Sequence, residues 1–255
     1  MSIEPIFTRY LYDVSCVKLS LEGALLDCEV EEALFWAYEL YHSGFQEDAW
    51  AVVRDVYSRH YRALNPRYEK WLNQFYGEWV ERNAPQLADE GNQGPGLSSA
   101  PPEIAKAQTT ERDCLLGSAV HTLAIRNWRE RKPEKYVIIC KYDKNTTEMP
   151  PNQAYKYLEE VSRFGVRRLE DSETTPSDRR RREAYLGGNW LYYCRKSPVW
   201  LKRILDARGR IDDVNKTVAF ESDDDLEAFY DVWGLEPDEQ CVEMHNWHGV
   251  YLENA

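Results

Sequence analysis

Most of the signatures that announce a chemistry are missing from this 255-residue chain. No Gly-x-x-x-x-Gly-Lys-Ser/Thr loop is present to cradle a phosphate with backbone donors, and no Gly-x-Gly-x-x-Gly turn to admit a dinucleotide. Gly-x-Ser-x-Gly and His-Glu-x-x-His are absent as well, so neither a nucleophile elbow nor a helical zinc site is written in. The cysteines Cys16, Cys28, Cys114, Cys140, Cys194 and Cys241 include no Cys-x-x-Cys pair, a distribution that fits reduced thiols better than a disulfide framework. No window approaches 18 uninterrupted apolar residues, and Met1 to Pro5 has no basic stretch leading into an apolar run. The expectation is a soluble, non-secreted protein with no membrane partner. Positive charge is also in deficit: 32 Lys and Arg stand against 44 Asp and Glu, giving a net charge of -12. That argues against a globally electrostatic nucleic-acid binder and leaves room for a local basic face.

What the chain has in quantity is aromatic surface, with nine Trp and seventeen Tyr. Much of it falls between Asp27 and Asn83. A first helix is expected from Asp27, read as an N-cap, through Glu29, Glu31 and Glu32, which suit the positive end of the helix dipole, to Gly44 as the C′ residue. Val30, Ala33, Leu34, Ala37, Leu40 and Tyr41 recur at helical spacing, and Phe35, Trp36 and Tyr38 make the other faces apolar too, as in a buried helix. A second helix, 46–64, carries Trp50, Val53, Tyr57 and Tyr61 on one face. Asn65-Pro66 stops it and starts a third, on which Tyr68, Trp71, Leu72, Phe75, Tyr76 and Trp79 share a side. Short turns between the three imply antiparallel packing.

Leu11-Tyr12, the run from Ala33 through Phe35-Trp36-Ala37-Tyr38-Glu39-Leu40-Tyr41-His42-Ser43-Gly44 to Phe45, and Asn65-Pro66 stand in a characteristic order. They are followed by Lys196-Ser197-Pro198-Val199-Trp200 and by Phe229-Tyr230-Asp231-Val232-Trp233-Gly234-Leu235-Glu236-Pro237-Asp238-Glu239-Gln240. Together they resemble an uncharacterised protein family of the nucleocytoplasmic large DNA viruses, the giant viruses. The resemblance implies a viral setting, the host cytoplasm, the viral factory or the virion, and brings no catalytic residue with it.

Residues 5–26 mix periodicities and read as a helical pair or as a strand and a helix. After Asn83 the segment 84–108 carries Pro85, Pro95, Pro101 and Pro102, several Gly and Ser, and no aromatic residue, the composition of a flexible linker. A helix is expected from Thr110 to about Trp128, with His121 beside its apolar face. Tyr136 to Cys140 is the best strand, and Thr217 to Phe220 is its expected partner. Helical spacing returns at 152–164, and Trp190 to Leu205 reads as one amphipathic segment. The fold class is therefore mainly α, antiparallel helical hairpins or a bundle with a small β element. Its parts are an N-terminal lobe (1–83), the linker (84–108) and a C-terminal lobe (109–255).

Three groups of residues are candidates for function. Cys241, His245 and His248 have metal-like spacing, but a tetrahedral site needs a fourth ligand that nothing nearby nominates. The alternation through Val242, Met244 and Asn246 equally fits a strand that separates His248 from the other two, so no metal and no cofactor is assigned. Asp223 to Gly234 lacks the spacing of a calcium loop, and its acids suit a helix N-terminus.

The second group is basic: Arg126, Arg129, Arg131 and Lys132; Arg179, Arg180, Arg181 and Arg182; and Arg195, Lys196, Lys202 and Arg203. Interleaved with aromatics it would suit a nucleic acid, whereas as helix-edge charge it is ordinary solvated surface. The third group is aromatic: Tyr41, Trp50, Trp71, Trp79, Trp200 and Trp233, residue types favoured in interface cores. No small-molecule substrate is identified, and an enzyme is unsupported. The sequence points to a non-enzymatic structural or adaptor protein whose partners are other viral proteins or itself. A nucleic-acid-associated accessory factor of viral transcription or replication is the alternative.

Overall fold

The computed structural model describes residues 6–89, 114–128, 136–139, 164–169 and 189–232. The chain enters through a buried irregular loop, closed by a bridge between Phe7 and Asp13, with Phe7 and Leu11 fully enclosed. Asp13 caps α1 (Val14–Asp27), its carboxylate accepting from the Ser15 N–H at 2.8 Å. The helix ends where Cys28 adopts φ 62°. There the Cys28 N–H donates to Leu25 O and the Glu29 N–H to Ala24 O, the pair of reversed bonds that satisfies orphan carbonyls at a left-handed cap.

The next helix, α2 (Val30–His42), therefore starts later than its sequence suggests. Asp27 closes α1 instead of capping α2, and Glu29 at the cap position makes no side-chain capping bond. Asp27 was misread because Cys28, a residue without glycine's freedom, takes the left-handed turn. Gly44 does end α2 at φ 89°, with its N–H on Tyr41 O and that of Phe45 on Leu40 O.

Helix α3 (Gln46–Val56) widens into a π turn over Tyr57–Tyr61. After Asn65-Pro66, α4 (Tyr68–Asp89) continues past Asn83 into the segment expected to be a linker. Helices α1, α2 and α3 pack on one another, and Lys18 of α1 reaches Asp48 of α3 at 2.7 Å. A fifth helix, α5 (114–124), presents Leu115, Leu116, Ala119, Val120 and Leu123 to the interior.

Strand β1 (Tyr136–Ile139) forms where its β-branched run predicts. Its partner is β2 (Val166–Leu169), antiparallel with Tyr136 opposite Leu169, and not the 217–220 segment. That segment supplies β4 (Thr217–Ala219), which closes a local hairpin with β3 (Arg210–Asp212). Hairpin formation costs less chain entropy than bridging from 140 to 217, and a short apolar run does not encode its partner. The span 190–205 is divided: α6 (Trp190–Cys194) stops and α7 (Pro198–Asp206) restarts, because Pro198 cannot continue a helix but suits the first position of one. Helix α8 (Asp223–Val232) follows, rooted by Phe229. The run 152–163 lies outside the described residues.

One apolar cluster contains Phe7, Trp36, Trp50, Tyr68, Leu116, Trp128, Trp190, Trp200 and Phe229, so residues on both sides of 84–108 share a core. Polar links run the same way. The Trp128 indole donates to Leu26 O at 2.8 Å, Tyr68 Oη to Ala119 O at 2.9 Å, and the Trp200 indole to Thr8 O at 3.1 Å.

Two glycines calibrate this packing. At Gly44 an added Cβ would lie 2.6 Å from Pro198 Cβ at a left-handed φ, whereas at Gly77, inside α4, it would meet nothing within 4 Å. Gly44→Ala is expected to lower stability by about 1–3 kcal/mol. Gly77→Ala should raise it by roughly 0.5–1 kcal/mol. Urea denaturation of the two variants beside wild type reads both signs.

Candidate functional site

Helix α2 is apolar nearly all round, yet it carries Glu39 with no exposed surface. The carboxylate answers two donors of the entering loop. Its Oε2 accepts from Arg9 Nε at 2.8 Å and its Oε1 from the Tyr10 backbone N–H at 3.1 Å, while the Arg9 N–H donates to Ser43 Oγ at 2.8 Å. A buried irregular backbone must find acceptors for its N–H groups, and α2 supplies them. Around this pair stand Tyr10, Arg203 and His42. Burial pushes the Tyr10 hydroxyl up to about 12 and pulls Arg203 down to about 10, the Arg203 effect reinforced by the charge of Arg9. His42, stacked on Tyr38 and edge-on to Tyr41, is held down at about 3, first by burial and then by Arg9.

A second charged cluster fastens β2. Arg167, almost wholly buried, donates to Asp27 Oδ2 and, through two nitrogens, to the Glu32 carboxylate, while its backbone N–H reaches Ser20 Oγ. Glu32 also accepts from the Trp36 indole at 3.1 Å. Asp27 and Glu32, expected to serve a helix N-terminus, instead grip a guanidinium from about 140 residues further along the chain. Both clusters tie remote segments together through charged hydrogen bonds, with Asp27 at the solvent edge of the second.

The basic candidates fare unevenly. Arg203 is buried with its guanidinium 4.5 Å from the Trp200 ring centre, and Arg195 lies 3.7 Å from that of Tyr192 and bonds Asp213. Lys202 pairs with Asp206 one turn along α7, and Arg126 covers the Tyr68 ring at 4.6 Å. Lys196 is exposed. Arg129, Arg131, Lys132 and Arg179 to Arg182 lie outside the described residues, as do Cys241, His245 and His248. Among the described residues no group of three or more His, Cys, Asp or Glu could hold a metal ion. Nor is any described helix long and apolar enough to cross a membrane.

Of the aromatic candidates, Tyr41, Trp50, Trp79 and Trp200 are core residues, each at most 6% exposed. Their polar atoms tell the same story: the Trp79 indole donates to Tyr41 Oη at 3.0 Å. Trp233 lies outside the described residues. Trp71 is different, being 55% exposed where the other described tryptophans are at most 7% exposed.

Its position follows from the helix. Tyr68, Leu72 and Trp79 form the buried stripe of α4, and Tyr76 on one flank packs on Trp50 of α3 and bonds Glu47. Trp71, about 140° round the helix from Tyr76, occupies the flank turned away from α3. Two more exposed apolar side chains stand near this end of α4: Leu64 in the preceding turn and Ile125 just past α5. The turn and the α5 exit are joined there by Asn65 Nδ2 donating to Asn127 O at 2.9 Å. Arg67 and Lys70 are exposed on either side of Tyr68, and Arg62 reaches Glu69 at 3.3 Å. The result is an apolar centre with a predominantly cationic rim, in a chain of net charge -12.

No family model, curated protein or solved structure matches the chain.

The buried groups make two expectations. Glu39→Gln leaves the Arg9 charge uncompensated and should cost about 3–5 kcal/mol, whereas the double replacement Arg9→Met with Glu39→Met should cost far less, in a denaturant double-mutant cycle. For His42 the unfolded chain takes up a proton near pH 6.5 while the folded chain resists it to about 3, so stability falls as pH drops across that window. His42→Gln should flatten the fall in melting temperature between pH 6.5 and 3, relative to wild type.

Proposed function

We propose that this is a non-enzymatic structural or adaptor protein acting through protein–protein contacts, in the large-DNA-virus setting that the sequence resemblance implies. The observation that carries the reading is Trp71, left 55% exposed by a fold that encloses its other described tryptophans, with Leu64 and Ile125 exposed as well. Large amphipathic aromatics ringed by polar groups are the anchors of interfaces, because covering them removes much apolar area at little rotamer cost. Further support comes from how the chain uses its titratable groups. The buried carboxylate and arginines are engaged in tying segments together, as in Arg9 to Glu39 and Arg167 to Glu32.

The alternative, a nucleic-acid-associated accessory factor, has less to draw on among the described residues, where Arg203, Arg195 and Arg126 lie over rings of the same chain and Lys202 pairs with Asp206 at the surface. It predicts binding to single- or double-stranded nucleic acid that weakens steeply with salt.

Quantitative mass spectrometry of purified virions, with capsid proteins as the internal scale, tests the leading reading. The expected outcome is many copies in fixed ratio to the capsid for wild type, and loss of incorporation for Trp71→Glu at unchanged expression and melting temperature. Absence from virions, together with salt-sensitive nucleic-acid binding, would overturn it in favour of the accessory factor.

A further inference from the structure

The cationic, Trp71-centred end of α4 has a complement elsewhere on the same chain. Helix α8 is held down by Leu226, Phe229 and Tyr230, with Phe229 5.2 Å from the Phe220 ring and Tyr230 6.4 Å from that of Trp190. Its opposite side is a carboxylate stripe. Asp224, Glu227 and Asp231, spaced three and four apart, fall on one face, and all are exposed. Asp223 and Asp225 extend the negative charge at its start, and Val232, 62% exposed, puts an apolar side chain at its end. The stripe carries no described cation of its own to neutralise it.

We infer that the α4 patch of Trp71, Arg67 and Lys70 docks the acidic face of α8 from a second copy of this chain. The inference rests on the protein–protein reading above and deepens it by naming the partner. Charge fixes the choice of occupant. A patch rimmed by Arg67 and Lys70 selects a negative helix, and α8 supplies three carboxylates over two turns with Val232 beside them to meet an apolar centre. Leu64 and Ile125 favour this over a nucleic acid, since aliphatic side chains offer bases nothing to stack on. Within one molecule α8 is rooted through Phe229 on Phe220 and through Tyr230 on Trp190 of α6, and the carboxylate side that it leaves exposed is offered to a neighbour. Because the two surfaces differ, the contact is head-to-tail, and repetition gives a ring or an open chain of copies, as a structural component requires.

Sedimentation velocity of the full chain across a wide concentration range, at low and high salt, tests this. Wild type should self-associate at low salt and dissociate at high salt. Trp71→Ala, Arg67→Glu with Lys70→Glu, and Glu227→Lys with Asp231→Lys should each weaken association by roughly tenfold or more. Far-UV circular dichroism and melting temperature should stay at wild-type values. Mixing the two charge-reversed variants restores both complementary contacts and should recover association that neither shows alone. Wild type that stays monomeric at all concentrations, or charge-reversed variants whose mixture stays monomeric, overturns the inference. If wild type is monomeric but virion incorporation is still lost in Trp71→Glu, the occupant is another protein and only the second-copy assignment fails. Binding of a single-stranded oligonucleotide that Trp71→Ala abolishes, without self-association, overturns the inference and the protein–protein reading together.

Discussion

The Arg9–Glu39 ion pair is the constraint on which the remaining packing depends. A seven-residue loop from Phe7 to Asp13 is buried without regular hydrogen bonding, so its donors need acceptors inside the protein. Glu39 takes the Arg9 guanidinium and the Tyr10 N–H with its two oxygens, and Ser43 takes the Arg9 N–H. That loop in turn offers Thr8 O to the Trp200 indole, and Gly44, one residue past Ser43, leaves room for Pro198. The loop from Phe7 to Asp13, the end of α2 and the start of α7 are thus fixed at one place. An isolated buried carboxylate would be untenable there. Paired and twice hydrogen-bonded, it specifies which loop conformation the helices close over.

Three described arginines, Arg9, Arg167 and Arg203, are buried and serve as internal fasteners. Arg167 joins β2 to the α1–α2 corner, Arg203 lies over Trp200, and Arg195 over Tyr192. A planar guanidinium can satisfy two carboxylates and cover an aromatic face, which an ammonium cannot do as well. Arg203, which looks like part of a nucleic-acid face in print, is therefore withdrawn from solvent. This also explains how a chain with nearly a third of its residues charged encloses so many of its aromatics.

The helices were legible because their signals are local. Val30 to His42 is apolar at helical spacing, Gly44 ends it at positive φ, and Asn65-Pro66 separates α3 from α4. The boundary at Asp27 was illegible because Cys28 takes a left-handed conformation that its side chain does not advertise, and because the carboxylate's true partner, Arg167, is remote in sequence. Pairing of β1 with β2 was illegible for the same reason: a strand's propensity is local and its register is tertiary. The shared core across 84–108 was hidden because a proline- and glycine-rich composition describes a connection and not what its flanks pack against. At the candidate surface, Trp71 was nominated with five other aromatics, and periodicity had no means of singling it out. It shares helical spacing with Tyr68 and Phe75, and only the placement of α3 decides that the Tyr76 flank is covered and the Trp71 flank is not.

That asymmetry bears on why the exposure persists. Turning Trp71 inward would rotate α4 and break the Tyr68 bond to Ala119, the Trp79 bond to Tyr41 and the ring contacts of Tyr76 and Trp79 with Trp50. The fold thus loses nothing by leaving this one indole outside, provided something else covers it. Its neighbours are selective about what that is: Arg67 and Lys70 would repel a basic surface, while the excess of carboxylate elsewhere on the chain would be attracted. An apolar centre alone would invite non-specific aggregation, and a cationic rim alone would bind any polyanion weakly. Together they demand a partner that brings negative charge and an apolar side chain in the same short segment, which is a demand a helix such as α8 meets by geometry.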